Sequence, residues 1–318
     1  MSISADMVRK LREETGAGMM ECKSALVEAG GDSKTAVDIL RKKGLASAAK
    51  KAGRAANEGQ VAAYLHDGGK TGVLVEVNSE TDFVAKTPEF QQLVTDVAAH
   101  VALTSSADEL AAGKLKDVND TAALQAQPYH KQPSQTIGQL VQEKIAVIKE
   151  NIVVRRFSGF RTAGAGLVGS YIHQGGKVGV LVEVGVQNEA TAQSAEFAQL
   201  VKDVAMHIAA ASPAAALYVA KEEVPADVLT KEKEIYKAQA AASGKPANVV
   251  DKIAEGKLKE YYATFCLLEQ AYVREPKMTV GALLKERSGT LKDTVVVRRF
   301  SRFRVGEEIA GAPAPAAS

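Results

Sequence analysis

The chain has no tryptophan and only two cysteines, Cys22 and Cys266, far apart and in no CxxC spacing. That excludes a disulfide framework, and two reduced thiols suit a cytosol. A charge excess is missing too, since 40 basic and 38 acidic side chains leave a net +2. Dedicated nucleic-acid binders usually carry a strong basic surplus, so no direct nucleic-acid partner is expected. No apolar run approaches a membrane span, and MSISADMVRKLREE holds no signal-peptide stretch. The expectation is therefore a cytoplasmic protein with no membrane partner. What remains is ordinary globular composition, 46% hydrophobic and 25% charged over 318 residues. That length suits two or three modules better than one core.

The first module is helical. Ser4 is placed to cap a helix through Met7, Val8 and Leu11 that ends at Gly16. A second helix runs from Met19 through Cys22 and Leu26 to Gly30-Gly31, and Asp32 opens a third that is expected to stop at Gly44. Three short helices enclose a minimal core and gain from docking on something larger. Met19 and Met20 form either an exposed apolar corner for a partner or core filler. From Arg41 to Arg54 the chain is basic without an intervening acid, and interleaved alanines favour a linking helix. That stripe is a solvated linker face or, alternatively, an RNA contact. No aromatic residue stands beside its charges for base stacking.

An internal duplication dominates the rest. Tyr64 to Val77 (YLHDGGKTGVLVEV) returns 107 residues later as Tyr171 to Val184 (YIHQGGKVGVLVEV). The segment Val153 to Ser158 (VVRRFS) returns as Val296 to Ser301, 143 residues on, so the second half holds 36 extra residues. Each unit predicts a strand, a Gly-Gly hairpin turn, a buried strand, a loop, a covering helix and a closing strand. The fold class is α+β with antiparallel sheets. Phe90, Leu93, Val94, Val97 and Val101 predict the helix face that covers the first sheet. The extra residues, about 225–262, predict a protruding helical hairpin. Its stripes are Val228, Ile235 and Ala242 on one helix, and Ala247, Val250, Ala254 and Tyr261 on the other. The tail 305–318 ends in a low-complexity stretch, Ala310 to Ser318, that is expected to be disordered.

Residues shared by both copies are best explained by the common fold. His66/His173 and His100/His207 are therefore expected to be structural, leaving His130 as a singleton in a Pro-flanked loop. The Gly68-Gly69-Lys70 turn lacks the spacing of a phosphate loop, and no HExxH, GxSxG, Walker or dinucleotide motif occurs. No catalytic residue, metal ligand or cofactor is expected. Between Val77 and the shared helix the copies part completely: Asn78 to Val84 (NSETDFV) faces Gly185 to Thr191 (GVQNEAT). An aromatic beside a carboxylate in the first loop alone points to a function gained there, with burial of Phe83 in its own core as the alternative.

Leu11 to Leu26 (LREETGAGMMECKSAL) and Glu76 to Ala85 (EVNSETDFVA) closely resemble bacterial translation elongation factor Ts, and the resemblance extends over nearly the whole chain. It implies a ubiquitin-associated-type domain with its basic linker at 1–54. It further implies a core subdomain at 55–162 carrying the TDFV loop, and a second at 163–304 with the helical insertion. The implied partner is the GTPase elongation factor Tu, in GDP-bound and nucleotide-free forms, and the implied activity is nucleotide exchange without bond-making. Thr81, Asp82, Phe83 and Val84 would wedge into the GTPase and displace its Mg²⁺. Met19, Met20, Lys23 and His173 would make weaker contacts. Arg274 stands where the family carries an apolar contact residue. A homodimer and a heterotetramer with the GTPase both stay open. The competing class is an RNA-associated chaperone or ribosome-bound adaptor acting through the basic linker. Salt separates the two, because phosphate binding collapses as salt rises.

Overall fold

The structure, a computed structural model, describes residues 3–112, 121–244 and 246–308. Helix α1 (Ala5–Thr15) starts where the Ser4 hydroxyl accepts the Met7 N–H, and ends at Gly16 with φ 67°. Helix α2 (Met19–Glu28) runs into the Gly30-Gly31 turn. Helix α3 (Ser33–Lys51) starts where Asp32 accepts the Thr35 N–H at 2.7 Å. Val8, Leu11, Cys22, Ala25, Leu26 and Ala36 make the small core between them. Gly44 does not stop α3, contrary to the sequence expectation. The third helix and the linking helix are one rod. A Cβ at Gly44 would sit 3.0 Å from that of Ala146, so this glycine serves a close approach between helices. Further along the rod, Ala48 enters the core of the first repeat.

The repeats build two three-stranded antiparallel sheets. Strands β1 (Glu58–His66) and β2 (Thr71–Ser79) form a hairpin through Asp67-Gly68-Gly69, all three at positive φ. A single turn, α4 (Asp82–Ala85), leads to α5 (Pro88–Thr104), whose Phe90, Leu93, Val94, Val97 and Val101 are buried on the sheet as expected. There follow α6 (Ala107–Ala112), α7 (Thr121–Ala126), a small hairpin of β3 (Pro128–Tyr129) and β4 (Gln132–Thr136), α8 (Ile137–Ile148) and β5 (Ile152–Arg161). Strand β5 pairs with β2, giving the order β1-β2-β5. The second copy repeats the plan with β6 (Gly166–His173), β7 (Val178–Gly185), the single turn α9 (Glu189–Ala192) and α10 (Ala195–Ala210). After the inserted helices α11 (Ala226–Ala242) and α12 (Ala247–Phe265) come β8 (Ala271–Tyr272), β9 (Glu275–Thr279), α13 (Val280–Leu291) and β10 (Val296–Arg304). The order there is β6-β7-β10. The small hairpin and its following helix are thus duplicated too, a relation that weak side-chain identity hides in the sequence.

The sheets pack face to face between α5 and α10, through Val61, Leu74, Phe160, Val168, Leu181 and Phe303. Gly72 and its repeat partner Gly179 permit the approach: a Cβ there would lie 2.6 Å from Val168 and 2.4 Å from Val61. Contacts across the interface are reciprocal. Arg156 stacks on Phe303 at 4.2 Å, Arg299 stacks on Phe160 at 4.5 Å, and the Ser158 and Ser301 hydroxyls meet at 2.8 Å. The two stacks are equivalent to each other with the copies exchanged, and the serine pair joins one position to its own repeat, so the core has approximate two-fold symmetry. On the inserted hairpin, Ala254 and Tyr261 are buried as the second stripe predicted, whereas Ala247 has a side chain outside the described set. On α11 the buried position is Ala240, while Ile235 and Ala242 are exposed. The inward face runs instead through Leu229, Tyr236 and Ala240, one residue, or about 100°, round the helix from the expected stripe. The end of the tail, 309–318, lies outside the described residues.

Of the two histidine pairs, His100 and His207 are structural in one specific way, whereas His66 and His173 are exposed on their strands. His100 Nδ1 accepts the His130 N–H at 3.3 Å, and its Nε2 lies 2.9 Å from the Gln127 side-chain oxygen. His207 repeats this with the Val273 N–H at 3.1 Å and Gln270 at 3.1 Å. Both arrangements require the neutral ring with its proton on Nε2, because protonating Nδ1 sets N–H against N–H. His130 is no free loop residue, for its ring stacks on His100 with centroids 5.6 Å apart. Burial pushes the pKa of His100 and His207 down, and hydrogen bonds to Gln127 and Gln270 oppose this only in part. Unfolded histidine titrates near 6.5. The contribution is therefore complete above that pH and is lost as pH falls toward the lowered folded values, because the unfolded chain takes up protons first. We expect urea stability to decline between about pH 7 and 5. The slope should flatten in a chain carrying His100→Gln and His207→Gln. An equally steep slope in that chain would assign the pH dependence to other groups.

Candidate partner-binding site

Strand β2 ends at Ser79, and the next residues turn sharply outward. The Thr81 hydroxyl caps α4 by accepting the Val84 N–H at 3.4 Å. Glu150, just past α8, receives the Thr81 N–H at 3.0 Å and the Thr81 hydroxyl at 2.7 Å. The capped turn presents Phe83 to solvent at 78% exposure, so burial in its own core is ruled out as the reason for this side chain. Val84 points the other way and packs against the first core. Asp82 pairs with Lys86 at 2.6 Å, and the Lys86 ammonium also sits 5.9 Å from the centre of the Phe83 ring. The hydrogen bond from Lys86 holds the Asp82 carboxyl below the usual range, with a smaller contribution from Lys177. At neutral pH the turn shows solvent an aromatic ring beside a fixed negative charge.

The second copy corrects one expectation. Its segment differs in sequence, yet the backbone repeats: α9 is the same single turn, and Asp293 receives the Gln187 and Asn188 N–H groups at 2.9 and 3.0 Å. Burial raises the Asp293 pKa, but these bonds, with those from Thr191 and the Asn188 side chain, outweigh it and leave the carboxyl well below normal. Only the displayed side chains part company, with Glu189 and Ala190 where the first copy has Asp82 and Phe83. Glu189 is engaged by Lys70 of the first copy at 2.6 Å.

The other expected site residues lie around this end of the first sheet. Met19 and Met20 are 49% and 73% exposed at the start of α2, with Lys23 exposed one turn on, so the methionines are surface and not core filler. That corner is tied to the core by Glu21, which accepts the Gly18 N–H and pairs with Lys149 at 2.6 Å. Lys149 and Glu150 are neighbours, so one short segment touches both the methionine corner and the Thr81 turn. His173 is exposed on β6, its ring stacked on Tyr171 at 5.9 Å. The turn after it reaches the start of β1, where Lys177 pairs with Glu58 and Gln60 donates to the Gly175 carbonyl at 3.4 Å. Glu58 lies opposite Ser79 in the sheet, so His173 belongs to the same end of the molecule as Thr81. Arg274 pairs with Asp203 at 3.0 Å and leans on the Met206 sulfur.

A family model described as Elongation factor TS matches residues 80–307. The chain belongs to the elongation factor Ts family. It is similar to the elongation factor Ts of Trichlorobacter lovleyi, 48% identical over 96% of this chain and 94% of the relative. That of Nautilia profundicola is 46% identical over 96% and 94%. That of Methylococcus capsulatus is 46% identical over 97% and 94%. Membership places the chain in the elongation phase of protein synthesis. Among the described residues of this elongation factor Ts family member, no helix is long and apolar enough to cross a membrane. The basic run in and just past the end of its third helix is partly neutralised: Lys43 pairs with Glu28, and Arg54 reaches Glu80. Sequence reasoning missed Glu150 and Lys149. Glu150 stands 143 residues before Asp293, the offset already seen for the closing strands, so the repeat held a signal for it.

Proposed function

We propose that the chain is the guanine-nucleotide exchange factor of the translational GTPase elongation factor Tu. The carrying observation is Phe83, 78% exposed on a turn anchored by Glu150. A large apolar ring held in water beside an ionised carboxylate is available to a partner and has no place in its own core. GDP is gripped by the GTPase mainly through its phosphates and a shared Mg²⁺. Phe83 would enter an apolar slot of the GTPase while Asp82, flanked by Thr81 and Val84, disturbs the Mg²⁺ site. Met19, Met20, Lys23 and His173 would add affinity around the wedge. No bond is made or broken. The chain stabilises the nucleotide-free GTPase more than the GDP form, and linkage then requires nucleotide to weaken its own binding in return.

The test is release of labelled GDP from the GTPase with and without this chain. About a thousandfold acceleration requires about 4 kcal/mol, which one or two buried hot-spot residues supply. The second copy provides the control. Alanine at Gln187, Asn188 and Glu189 should leave release within about twofold of wild type, as for surface changes away from a site. A loss matching that of the first turn would overturn the asymmetry between the copies.

A further inference from the structure

The Thr81 turn is held from two sides by a pair of carboxylates that exchange partners. Glu150 accepts the Thr81 N–H, and Glu80, the residue before Thr81, accepts the N–H of Asn151, the residue after Glu150, at 2.6 Å. Each strand end thus places an acid on the other's backbone. Asn151 is buried, and its side chain donates to the Arg54 carbonyl at 2.8 Å, while Arg54 approaches Glu80 at 3.4 Å. On the other flank Lys149, in the left-handed region at φ 71°, closes α8 and reaches Glu21 beside the methionine corner. The second copy has only half of this device. Asp293 performs the part of Glu150, but Gln187 stands where Glu80 would be.

We infer that Glu150 is the positioning residue of the wedge: with Glu80 it clamps the Thr81 turn so that Phe83 and Asp82 meet the partner already in place. This inference rests on the exchange reading above. One helical turn has no cooperative stability of its own, because nucleation fixes several dihedrals for a single hydrogen bond. Nor does packing hold Phe83, since its ring is in solvent. Val84 and the buried Ala85 seat the inner side of the turn on the core, so the order of its outer, N-terminal side comes from the cap, where the Glu150 carboxylate supplies two charge-assisted bonds. An unclamped turn would still reach the binding geometry, but only part of the time, and the encounter complex would progress to release correspondingly less often.

Two readouts test this on the full chain. In the free protein, Glu150→Ala should speed amide hydrogen exchange at Thr81 and Val84 about tenfold, while α5 and both sheets keep their protection. In labelled-GDP release, the plateau rate at saturating Glu150→Ala should fall about tenfold, with the half-saturating concentration moving far less. Glu150→Gln, which keeps one acceptor oxygen, should fall between that variant and wild type. Asp293→Ala should loosen α9 yet leave the plateau unchanged, separating positioning from general loss of stability. Wild-type protection of Thr81 and Val84 in Glu150→Ala would overturn the clamp. A normal plateau in Glu150→Ala, with a low one in the Asp82→Ala/Phe83→Ala chain, would overturn the positioning role alone. No acceleration by the wild-type chain would instead overturn the exchange reading.

Discussion

A chain carrying Asp82→Ala and Phe83→Ala should release GDP from the GTPase about a hundredfold more slowly than wild type, the loss expected when two hot-spot side chains are removed. Its melting temperature should move by less than about 2 °C. The two expectations separate because Phe83 is 78% exposed and touches no core residue that would collapse into its place. Alanine is the best helix former, so the single turn keeps its backbone preference. The cap from Thr81 and its bonds to Glu150 are untouched. The lost Asp82–Lys86 pair is solvent-exposed and contributes little. Stopped-flow release of labelled GDP beside a thermal melt decides the matter. Normal release would remove the wedge from the mechanism, and a collapsed melt would give Phe83 a structural role that its exposure denies.

What the sequence revealed and what it hid follow one physical line. The duplication is legible because Tyr64 to Val77 and its copy carry the same turn glycines and the same buried valines, both demanded by local geometry. Helix ends at Ser4, Gly16 and Asp32 are legible for the same reason, since a cap is set by the residue itself. Gly44 is not, because its role depends on Ala146, a residue 102 positions away that happens to lie against it. The shared backbone of α4 and α9 escaped notice because anchors of different type, Glu150 and Asp293, do the same work. At the site, Asp82 and Phe83 stand out in the sequence as the asymmetric pair between two copies. That Phe83 is solvent-exposed needed the fold, because burial in its own core is the standing alternative for a lone aromatic in a loop.

Arg156→Ala should cost about 3–5 kcal/mol of stability, the range for stripping the partner from a buried charge. Glu76, in the middle of β2, is 0% exposed and lies within 2.7 Å of the Arg156 Nε. Its other partners are weaker: Arg155 at 3.5 Å, the Gly306 N–H at 2.9 Å and the Asn78 side chain at 3.2 Å. Arg156 also reaches Glu307 at 2.7 Å and stacks on Phe303, so its loss loosens the contact between the sheets. The repeat offers a comparison at equivalent positions. Glu183, the partner of Glu76 in the second copy, is held by two arginines, Arg298 at 2.9 Å and Arg299 at 2.7 Å. Arg299→Ala leaves one good cation on Glu183 and should cost clearly less than Arg156→Ala. Urea unfolding of the two variants orders them. Glu76→Leu with Arg156→Met should recover most of the loss, because replacing a buried pair by apolar groups of similar volume is often neutral. Equal costs for the two single variants would show that Arg155 is as good a partner for Glu76 as Arg298 is for Glu183. Failure of the double replacement to recover would show that Glu76 is needed for its bonds to Asn78 and Gly306, which organise the end of β2 just before the Thr81 turn.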